Sequence, residues 1–301
     1  MNSQWAIEVD DIHFNYHDGH QVLKGLSCRI AHGEKVALIG RNGSGKSTFM
    51  HHLNGVERPV KGRVSIDGLE VNDRNLVSIR RRVGIVFQDP DDQLFCPTVA
   101  DDVAFGPLNL GLPESDIQQR VSNALQLTGL LGYETRSSFH LSFGERKRLA
   151  LATVLSYQPD ILVFDEPSTN MDPLNRRRLI EWLQSFDKTM LLCTHDMDVV
   201  LEVCDRCLLL ADGKIIADGP TSEILYNRDL LEANHLEEPL ALRTYSLLET
   251  KLALDSIPDD HRFIIRAFLH NHLHDHDTFR HSHPHEHPHV GDHAEAKDVA
   301  N

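Results

Sequence analysis

The chain has 301 residues, 41% of them apolar and 25% charged, and 45 acidic residues against 30 Lys and Arg give it a formal charge of −15. This composition predicts a soluble globular protein with one sizeable core. It argues against a protein that mainly binds nucleic acid, because phosphate neutralisation needs clustered Lys and Arg. The five cysteines are scattered, which favours reduced thiols. No apolar run approaches the roughly 18 residues that span a bilayer, and the N-terminus lacks a signal peptide, so we expect a cytoplasmic location.

The predicted elements follow the order of an α/β protein. Five segments have the apolar pattern of strands broken by turns, namely 5–16, 24–40, 62–71, 161–167 and 189–196. The third should be a hairpin around Asp67 and Gly68. Residues 98 to 158 have a helical pattern, and a further helix should begin near Pro173. Strands that alternate with helices imply a mostly parallel sheet covered on both faces.

A glycine-rich motif follows the predicted strand VALIG. Residues 40–47, GRNGSGKS, match G-x-x-x-x-G-K-[ST], in which backbone N–H groups surround a polyphosphate, Lys46 reaches the terminal phosphates and Ser47 can hold Mg²⁺. A Gly-rich turn could match these letters by chance, but the strand before and the helical segment after favour a phosphate-binding loop. The candidate nucleotide-binding residues of this segment are Gly40, Asn42, Gly43, Ser44, Gly45, Lys46, Ser47 and Thr48.

An acidic pair ends the predicted strand ILVF. Asp165 and Glu166 should lie at the carboxyl edge of the sheet, where open parallel sheets bind ligands. Asp165 suits Mg²⁺ binding and Glu166 suits activation of an attacking water, two parts that phosphoryl transfer needs. Such a pair alone is usually a turn, and the phosphate loop favours the catalytic interpretation.

A third motif, LSFGERKRLALATVL, begins at Leu141. Ser142 and Glu145 have the spacing of a capping box, so they could simply begin an amphipathic helix. The start of such a helix is also an anion site, and this one lies shortly before the acidic pair. The position favours a role in nucleotide binding.

The order of these motifs resembles the ATPase subunit of ABC transporters, and more narrowly the energy-coupling-factor type that drives cobalt and nickel importers. The resemblance covers about residues 5–245. Its motifs are FNYHDG with Tyr16, GRNGSGKST, VGIVFQDPDDQLF with Gln88, DDVAFGPLNLGLP, LSFGE, ILVFDEP, STNMDP with Asp172 and CTHD with His195. It implies an α/β P-loop NTPase fold, an ABC-type nucleotide-binding domain with an antiparallel β subdomain and a helical subdomain.

The resemblance also implies roles for single residues around Mg-ATP. Tyr16 would stack on adenine, although the motif alone would fit strand packing. Gln88 would touch Mg²⁺ and the attacking water and report the nucleotide state to integral membrane subunits. His195 would contact the γ-phosphate, whereas a lone His after a strand is more often a helix cap. Ser47, Gln88 and Asp165 would be the Mg²⁺ ligands, and Glu166, His195 and Gln88 the catalytic group.

In this family two ATPase chains hold two ATP molecules between them. Asp172 would couple the two sites, and Ser142 and Gly144 would face the nucleotide held by the second chain. We therefore expect a homodimer, peripheral on the cytoplasmic face of the cell membrane, that hydrolyses ATP poorly as a monomer.

The chain departs from the family pattern at two places. Phe143 replaces a common glycine. Because Phe cannot readily adopt the backbone angles open to Gly, a close approach of the backbone at residue 143 to a ligand is in doubt. Asn170 and Met171 stand where small or leucine-like residues are commoner. Separately, Cys204 and Cys207 form CDRC, a possible thiol or metal pair, but ordinary residues at the entry of a strand are the favoured interpretation.

The C-terminal part divides into a predicted helical extension, 246–269, and a His-rich tail, 270–301. Histidines recur at alternate positions of the tail: His270, His272, His274, His276, His281, His283, His285, His287 and His289. Alternate side chains of an extended chain project to one side, so several imidazoles could bind one cation. An inert solvated tail is the alternative. Imidazole binds Ni²⁺ and Co²⁺ with little discrimination, and we expect an accessory role for the tail.

The sequence thus predicts an ATP-binding subunit that hydrolyses ATP to energise import of nickel or cobalt through partner membrane subunits. One alternative keeps the ATPase and makes a vitamin the cargo. Others are a soluble ABC-type ATPase acting on DNA or ribosomes and a metal-storage protein with a regulatory nucleotide site. The acidic charge and the single ATPase domain disfavour a soluble ATPase that acts on DNA or ribosomes.

Overall fold

A computed structural model describes residues 3–244 of the chain. These residues contain ten strands in two sheets. The strands are β1 (Trp5–Asn15), β2 (Gln21–Ala31), β3 (Lys35–Ile39), β4 (Lys61–Ile66), β5 (Leu69–Glu70), β6 (Val83–Val86), β7 (Ile161–Asp165), β8 (Thr189–Thr194), β9 (Arg206–Ala211) and β10 (Lys214–Pro220). The predicted helical extension 246–269 and the His-rich tail lie outside the described residues, so these domain boundaries remain predictions.

A helical segment begins at Leu240, and nine further α-helices lie wholly within the same part of the chain. They are α1 (Lys46–Leu53), α2 (Leu76–Arg82), α3 (Val99–Asn109), α4 (Glu114–Leu127), α5 (Phe143–Leu155), α6 (Pro173–Ser185), α7 (Met197–Val203), α8 (Thr221–Leu225) and α9 (Arg228–Ala233). Short 3-10 turns occupy Pro90–Asp92 and Ser138–His140. None of the helices described is both long and apolar enough to cross a bilayer.

The first sheet is antiparallel, in the order β2, β1, β4, β5. The predicted hairpin joins β4 to β5, and both residues of its turn have positive φ, 55° at Asp67 and 76° at Gly68. Two such residues make the tight turn whose twist suits a hairpin. The inner face of this sheet packs on the second sheet around Ile7, Leu26 and Ile66.

The second sheet has the order β10, β9, β3, β8, β7, β6, and all its pairs are parallel except β9 with β10. Its central strands are buried on both faces, because successive side chains of a strand point to opposite sides. Along β3, Val36 and Leu38 join the core that faces the antiparallel sheet, whereas Ala37 and Ile39 face the helices on the other side.

A helical layer, α3 to α5, forms a third core around Val103, Leu125 and Leu149. The predicted α/β class, with an antiparallel β subdomain and a helical subdomain, is confirmed. The helix α5 belongs to two cores, since Leu151 and Val154 face the parallel sheet. The helix α5, which begins within the LSFGE motif, therefore packs directly behind β7, the strand that ends at the acidic pair.

Candidate nucleotide-binding and hydrolysis site

Four neighbouring strands of the parallel sheet end at one edge, and each delivers a predicted site residue there. The glycine-rich loop 40–45 follows β3, Gln88 follows β6, Asp165 ends β7, and His195 follows β8. Ligands of open α/β sheets bind at this carboxyl edge. The topology therefore brings together motifs that are more than 100 residues apart in the chain.

A cleft of about 440 Å³ opens at this edge. Its lining includes ten predicted residues: Tyr16, Asn42, Gly43, Gly45, Lys46, Ser47, Thr48, Gln88, Asp165 and Glu166. His20 and Val22 complete the lining and were not predicted. Gly40 and Ser44 belong to the same loop. The predicted residues His195, Ser142, Gly144 and Asp172 are not among the lining residues.

The loop and helix α1 together form the phosphate-binding part of the cleft. Gly45 precedes α1 with φ 108°, a backbone conformation that L side chains rarely adopt, and a Cβ there would lie 3.1 Å from Val22 Cγ1. Lys46 Nζ donates to the carbonyl oxygens of Gly40, at 2.7 Å, and Arg41, at 3.3 Å. The ammonium group is thus held inside the loop, at the N-terminal end of α1, where anions are stabilised.

Tyr16 stands at the rim of the same cleft. Its hydroxyl group lies 2.9 Å from Thr48 Oγ1, and its ring meets Phe14 edge-on with centroids 5.1 Å apart. These two contacts fix the ring while 39% of the residue stays exposed. An aromatic ring fixed and partly exposed beside a phosphate loop can stack on a planar base.

The oxygen atoms around Asp165 fit a magnesium ion. Asp165 is buried and lines the cleft together with Ser47. Burial, together with the nearby charge of Glu166, raises the pKa of Asp165, although the Ser47 hydroxyl group and Lys46 oppose the shift. A cation would favour the ionised carboxylate. Carboxylate, hydroxyl and amide oxygens are the ligands that Mg²⁺ accepts beside substrate phosphates, and Ser47, Asp165 and Gln88 supply them in this cleft.

Glu166 follows β7 in a strained left-handed backbone conformation, with φ 47°. Its N–H group donates to Cys193 O of the neighbouring strand at 2.8 Å, which holds the residue against β8. Its carboxylate accepts from Thr194 Oγ1 at 2.9 Å and from the N–H group of His195 at 3.2 Å. The other carboxylate oxygen lies 2.8 Å from His195 Nδ1 and 3.8 Å from Lys46 Nζ. The carboxylate is buried, oriented and next to the phosphate lysine.

The LSFGE segment forms the predicted capping box. Ser142 Oγ accepts from Glu145 N, while the Glu145 carboxylate accepts from the N–H and hydroxyl groups of Ser142 at 2.8 and 2.7 Å. These hydrogen bonds from Ser142 lower the pKa of Glu145. Phe143 is the first residue of α5 and has helical backbone, so the departure from glycine needs no special conformation.

Asp172 caps helix α6 by accepting from the N–H groups of Leu174 and Asn175, at 3.1 and 3.0 Å, and from Asn175 Nδ2. These bonds to Asn175 lower the pKa of Asp172. A Cβ on Gly144 would lie 3.3 Å from Asn175 Nδ2, so the LSFGE loop and the start of α6 are neighbours in one chain. Ser142, Gly144 and Asp172 lie outside the chain's own nucleotide cleft.

Lys147, which no sequence motif singled out, lies behind the acidic pair. It is only 7% exposed, and its Nζ donates to the carbonyl oxygens of Glu166, at 3.2 Å, and Pro167, at 3.1 Å. Burial lowers the pKa of Lys147 to about 8, although the charges of Glu166, Asp89 and Asp165 oppose this. Helical spacing could have identified it, since Lys147 falls on the apolar stripe of α5 that continues with Ala150, Leu151 and Val154.

A second missed contact ties the loop after Glu166 to helix α7. Asp196 accepts from Ser168 Oγ at 2.9 Å and from Arg176 Nε and Nη2 at 3.1 and 3.0 Å, and it caps α7. Burial raises the pKa of Asp196, but the hydrogen bonds and charge of Arg176 outweigh this and leave it lowered. Asp196 is the last residue of the CTHD motif, in which only His195 was assigned a role from the sequence.

Cys204 and Cys207 lie where α7 passes into β9, and both are fully buried in the core that faces the helices. Burial raises the pKa of both thiols, to about 12 for Cys207. Both thiols are therefore buried and protonated. This agrees with the interpretation that they are ordinary core residues at the start of a strand rather than a reactive or metal-binding pair.

Comparison with known proteins places this architecture in a family. The family profile described as ABC transporter matches residues 23–169. The energy-coupling factor transporter ATP-binding protein EcfA of Carboxydothermus hydrogenoformans is 42% identical over 267 residues, which are 88% of this chain and 98% of the relative. The EcfA protein of Methanocaldococcus jannaschii is 40% identical over 272 residues, 89% of this chain and 96% of the relative.

Solved structures agree with these relatives. CbiO1 from Clostridium perfringens, described as part of the ABC transporter complex cbiONQ, aligns with a TM-score of 0.69 and 35% identity over 82% of this chain and all of that one. The chain therefore belongs to the ABC transporter ATP-binding family, and within it to the ATP-hydrolysing subunits of the energy-coupling-factor type.

Proposed function

We propose that this subunit works as one half of an ATPase dimer that energises import of a divalent transition metal, nickel or cobalt, through integral membrane subunits. The observation that carries the catalytic part is the position of the Glu166 carboxylate, 2.8 Å from His195 Nδ1 and 3.8 Å from Lys46 Nζ. The cargo part rests on the alternating histidines of the tail.

Within the cleft, Glu166 orients the attacking water and accepts its proton, and His195 supports the terminal phosphate. Lys46 leaves the Gly40 carbonyl to bind the same phosphate. Bound Mg²⁺, for which Ser47, Asp165 and Gln88 would be the ligands, would neutralise phosphate charge. Positioning and charge neutralisation of this kind supply most of the catalysis in phosphoryl transfer.

The nucleotide lies between two chains. Ser142 and Gly144 of one chain complete the site of its partner, and Asp172 couples the two sites. Their placement outside the chain's own cleft supports this arrangement. One solved relative, the ATP-binding cassette MJ0796, is described as a dimeric post-hydrolysis structure bound to ADP and Pi, with a TM-score of 0.65 and 26% identity over 71% of this chain and 98% of that one.

The membrane subunits dock beside Gln88. Phe95 and Phe105 are 59% and 46% exposed, and their rings meet edge-on with centroids 4.8 Å apart. The pair is held in place because Asp102 Oδ1 accepts from the N–H groups of Phe95 and Cys96, at 3.0 and 2.9 Å. An exposed aromatic pair on a fixed loop is typical of a protein-binding surface.

The loop also connects this surface to the catalytic layer. Gln93 accepts from Phe87 N at 3.1 Å and donates to Ala150 O and Thr153 Oγ1, at 2.7 and 2.8 Å. Ala150 and Thr153 belong to α5, the helix that begins with the LSFGE loop. A change at the nucleotide can therefore reach the aromatic pair through the hydrogen-bonded side chain of Gln93.

The cargo is tested by measuring accumulation of labelled Ni²⁺ and Co²⁺ in cells that carry this subunit with its membrane partners. We expect uptake of one ion, lost on Glu166→Gln and retained on Glu181→Gln, an exposed glutamate of α6. If Glu166→Gln changed the uptake of neither Ni²⁺ nor Co²⁺, the result would contradict a metal cargo. Uptake of labelled vitamins would then be the next measurement, since a vitamin is the alternative cargo.

The tail is tested separately on the purified subunit. A chain that ends at residue 269 should lose most of its Ni²⁺ and Co²⁺ binding in calorimetric titrations and keep its ATP hydrolysis rate. Equal metal binding by both chains would contradict metal binding by the tail. A loss of hydrolysis without the tail would contradict its accessory role.

A further inference from the structure

A second cavity, of about 330 Å³, lies behind the catalytic loop rather than in the nucleotide cleft. One wall belongs to the helical layer, with Leu127 and Leu151. The other belongs to the sheet and α6, with Phe164, Leu179 and Trp182. Trp182 is partly exposed and supplies an aromatic surface, and its ring packs at an angle on the fully buried ring of Phe164, with centroids 6.2 Å apart. The volume is at the lower end of the range of about 300 to 1,000 Å³ found for small-molecule sites.

The charged residues of this lining all have one sign. Lys147, Arg148 and Arg178 line the cavity, and no carboxylate does. This is unexpected in a chain with a formal charge of −15. Among residues 3–244, none of the three forms a salt bridge with a carboxylate, whereas Arg176 and Arg177 on the same helix as Arg178 are paired with Asp196 and Glu202.

Arg148 also has an unused hydrogen-bond donor. Its Nε is buried and makes no hydrogen bond within the described part of the chain, and its Nη1 reaches only Thr128 O, at 3.5 Å. A buried donor without a partner costs free energy, commonly about 1 to 3 kcal/mol. An anionic oxygen in the cavity would provide the missing acceptor. The apolar walls would at the same time exclude a free phosphate ion or a nucleotide polyphosphate, which need a polar surrounding.

We propose that this cavity binds a small amphiphilic anion, an aromatic body with one or two rings that carries a single carboxylate or sulfonate group. The rings lie against Trp182 and Leu179, and the anionic group lies at the cationic rim formed by Arg148 and Arg178. The walls belong to the helical layer and to the sheet, so the bound anion fills the space between the two layers.

The test uses the full chain with saturating ADP, so that the nucleotide cleft is filled, and the probe 1-anilinonaphthalene-8-sulfonate. Its neutral counterpart, N-phenyl-1-naphthylamine, has the same rings without the sulfonate. We expect saturable binding of the sulfonate, followed by its fluorescence, and binding of the neutral compound weaker by about tenfold, the effect of one charge-assisted hydrogen bond.

Two matched pairs of variants locate the site. Arg178→Gln should weaken sulfonate binding about tenfold, while Arg177→Gln, whose side chain is paired with Glu202, should change it less than about twofold. Trp182→Phe should remove most of the probe emission excited through indole, while Trp5→Phe, in the other sheet, should retain it. Both pairs should keep the far-ultraviolet circular dichroism of the parent.

Several results would overturn the proposal. These are no saturable binding, equal affinity for the charged and neutral probes, an equal effect of the two arginine variants, or loss of the sensitised emission with Trp5→Phe instead of Trp182→Phe. Each would show that the cavity is closed or that the probe binds elsewhere on the surface.

Discussion

His195 Nδ1 lies 2.8 Å from Glu166 Oε1, although the two residues belong to different strand ends. The other oxygen of the same glutamate accepts from Thr194 Oγ1 and from His195 N, so two donors orient the carboxylate. Groups that are already oriented need no reorganisation free energy during the reaction, and they stabilise the transition state most strongly in a buried site. The contact joins the predicted base to the predicted γ-phosphate ligand.

The first prediction concerns the base itself. Glu166→Gln keeps the size of the side chain and an oxygen that can accept from Thr194, but it cannot take a proton. We expect kcat for ATP hydrolysis to fall by about 10² to 10⁴, the usual contribution of a general base, with ATP affinity changed little. Steady-state phosphate release and equilibrium nucleotide binding measure the two quantities. Glu181→Gln on α6 is the control, and a variant that hydrolyses ATP at the parental rate would exclude Glu166 as the base.

The second prediction concerns the base-stacking residue. Tyr16→Ala removes the ring and should weaken ATP binding by roughly 1 to 3 kcal/mol, because stacking of a base on an aromatic side chain has about this value. Tyr16→Phe keeps the ring and loses only the hydroxyl contact with Thr48, so its affinity should stay near that of the parent. Since every base presents a π face, GTP binding should weaken as much as ATP binding. Equal losses for the two variants in calorimetric titrations would assign the effect to the hydroxyl group instead.

The third prediction concerns stability. Asp196→Asn removes the ionic partner of Arg176 and weakens the cap of α7, so we expect the free energy of unfolding to fall by about 2 kcal/mol at pH 7. Because the pKa of Asp196 is lowered in the folded state, its contribution is fully present above the ordinary Asp value near 4 and is lost as the pH falls through the folded value. Urea unfolding between about pH 3 and pH 7 measures this.

The control for Asp196 is Asp187→Asn, an exposed carboxylate before β8. It should change the free energy of unfolding by less than about 0.5 kcal/mol. A difference between parent and Asp196→Asn that stays constant down to pH 3 would contradict the ionic contribution and leave only packing.

The local elements could be predicted from the sequence because their signals are local. The spacing of Ser142 and Glu145 gives the capping box directly, and Asp67 with Gly68 gives the hairpin turn. The phosphate loop needs only a strand before it and a helix after it. In each case the residues that determine the structure are within about ten positions of one another.

The order of the strands could not be predicted in this way. That β7 lies between β6 and β8 decides that Glu166 meets Thr194 and His195, and a parallel sheet leaves no trace of this order in its apolar runs. The resemblance to a family supplied the grouping of the motifs. It did not supply Lys147, whose role depends on which face of α5 packs behind the acidic pair.

The last prediction concerns that lysine. Lys147→Met keeps a long side chain in the core and removes the donors to the carbonyl oxygens of Glu166 and Pro167. Because the strained backbone of Glu166 loses this support, we expect kcat to fall about tenfold with little change in KM for ATP. Arg178→Met, which lies on the same cavity but not on the catalytic loop, is the control and should keep the parental kcat.

The same variant has a test in its pH dependence. The pKa of Lys147 falls from 10.5 to about 8 on folding, so the unfolded chain binds more protons in that interval and the parent becomes more stable with rising pH. Relative to Lys147→Met, the free energy of unfolding of the parent should therefore rise by up to about 3 kcal/mol between about pH 8 and pH 10.5. Urea unfolding at both ends of this interval measures the difference. A constant difference would mean that the ammonium group is as well solvated in the folded chain as in the unfolded one, and that the contacts to the catalytic loop do not bury its charge.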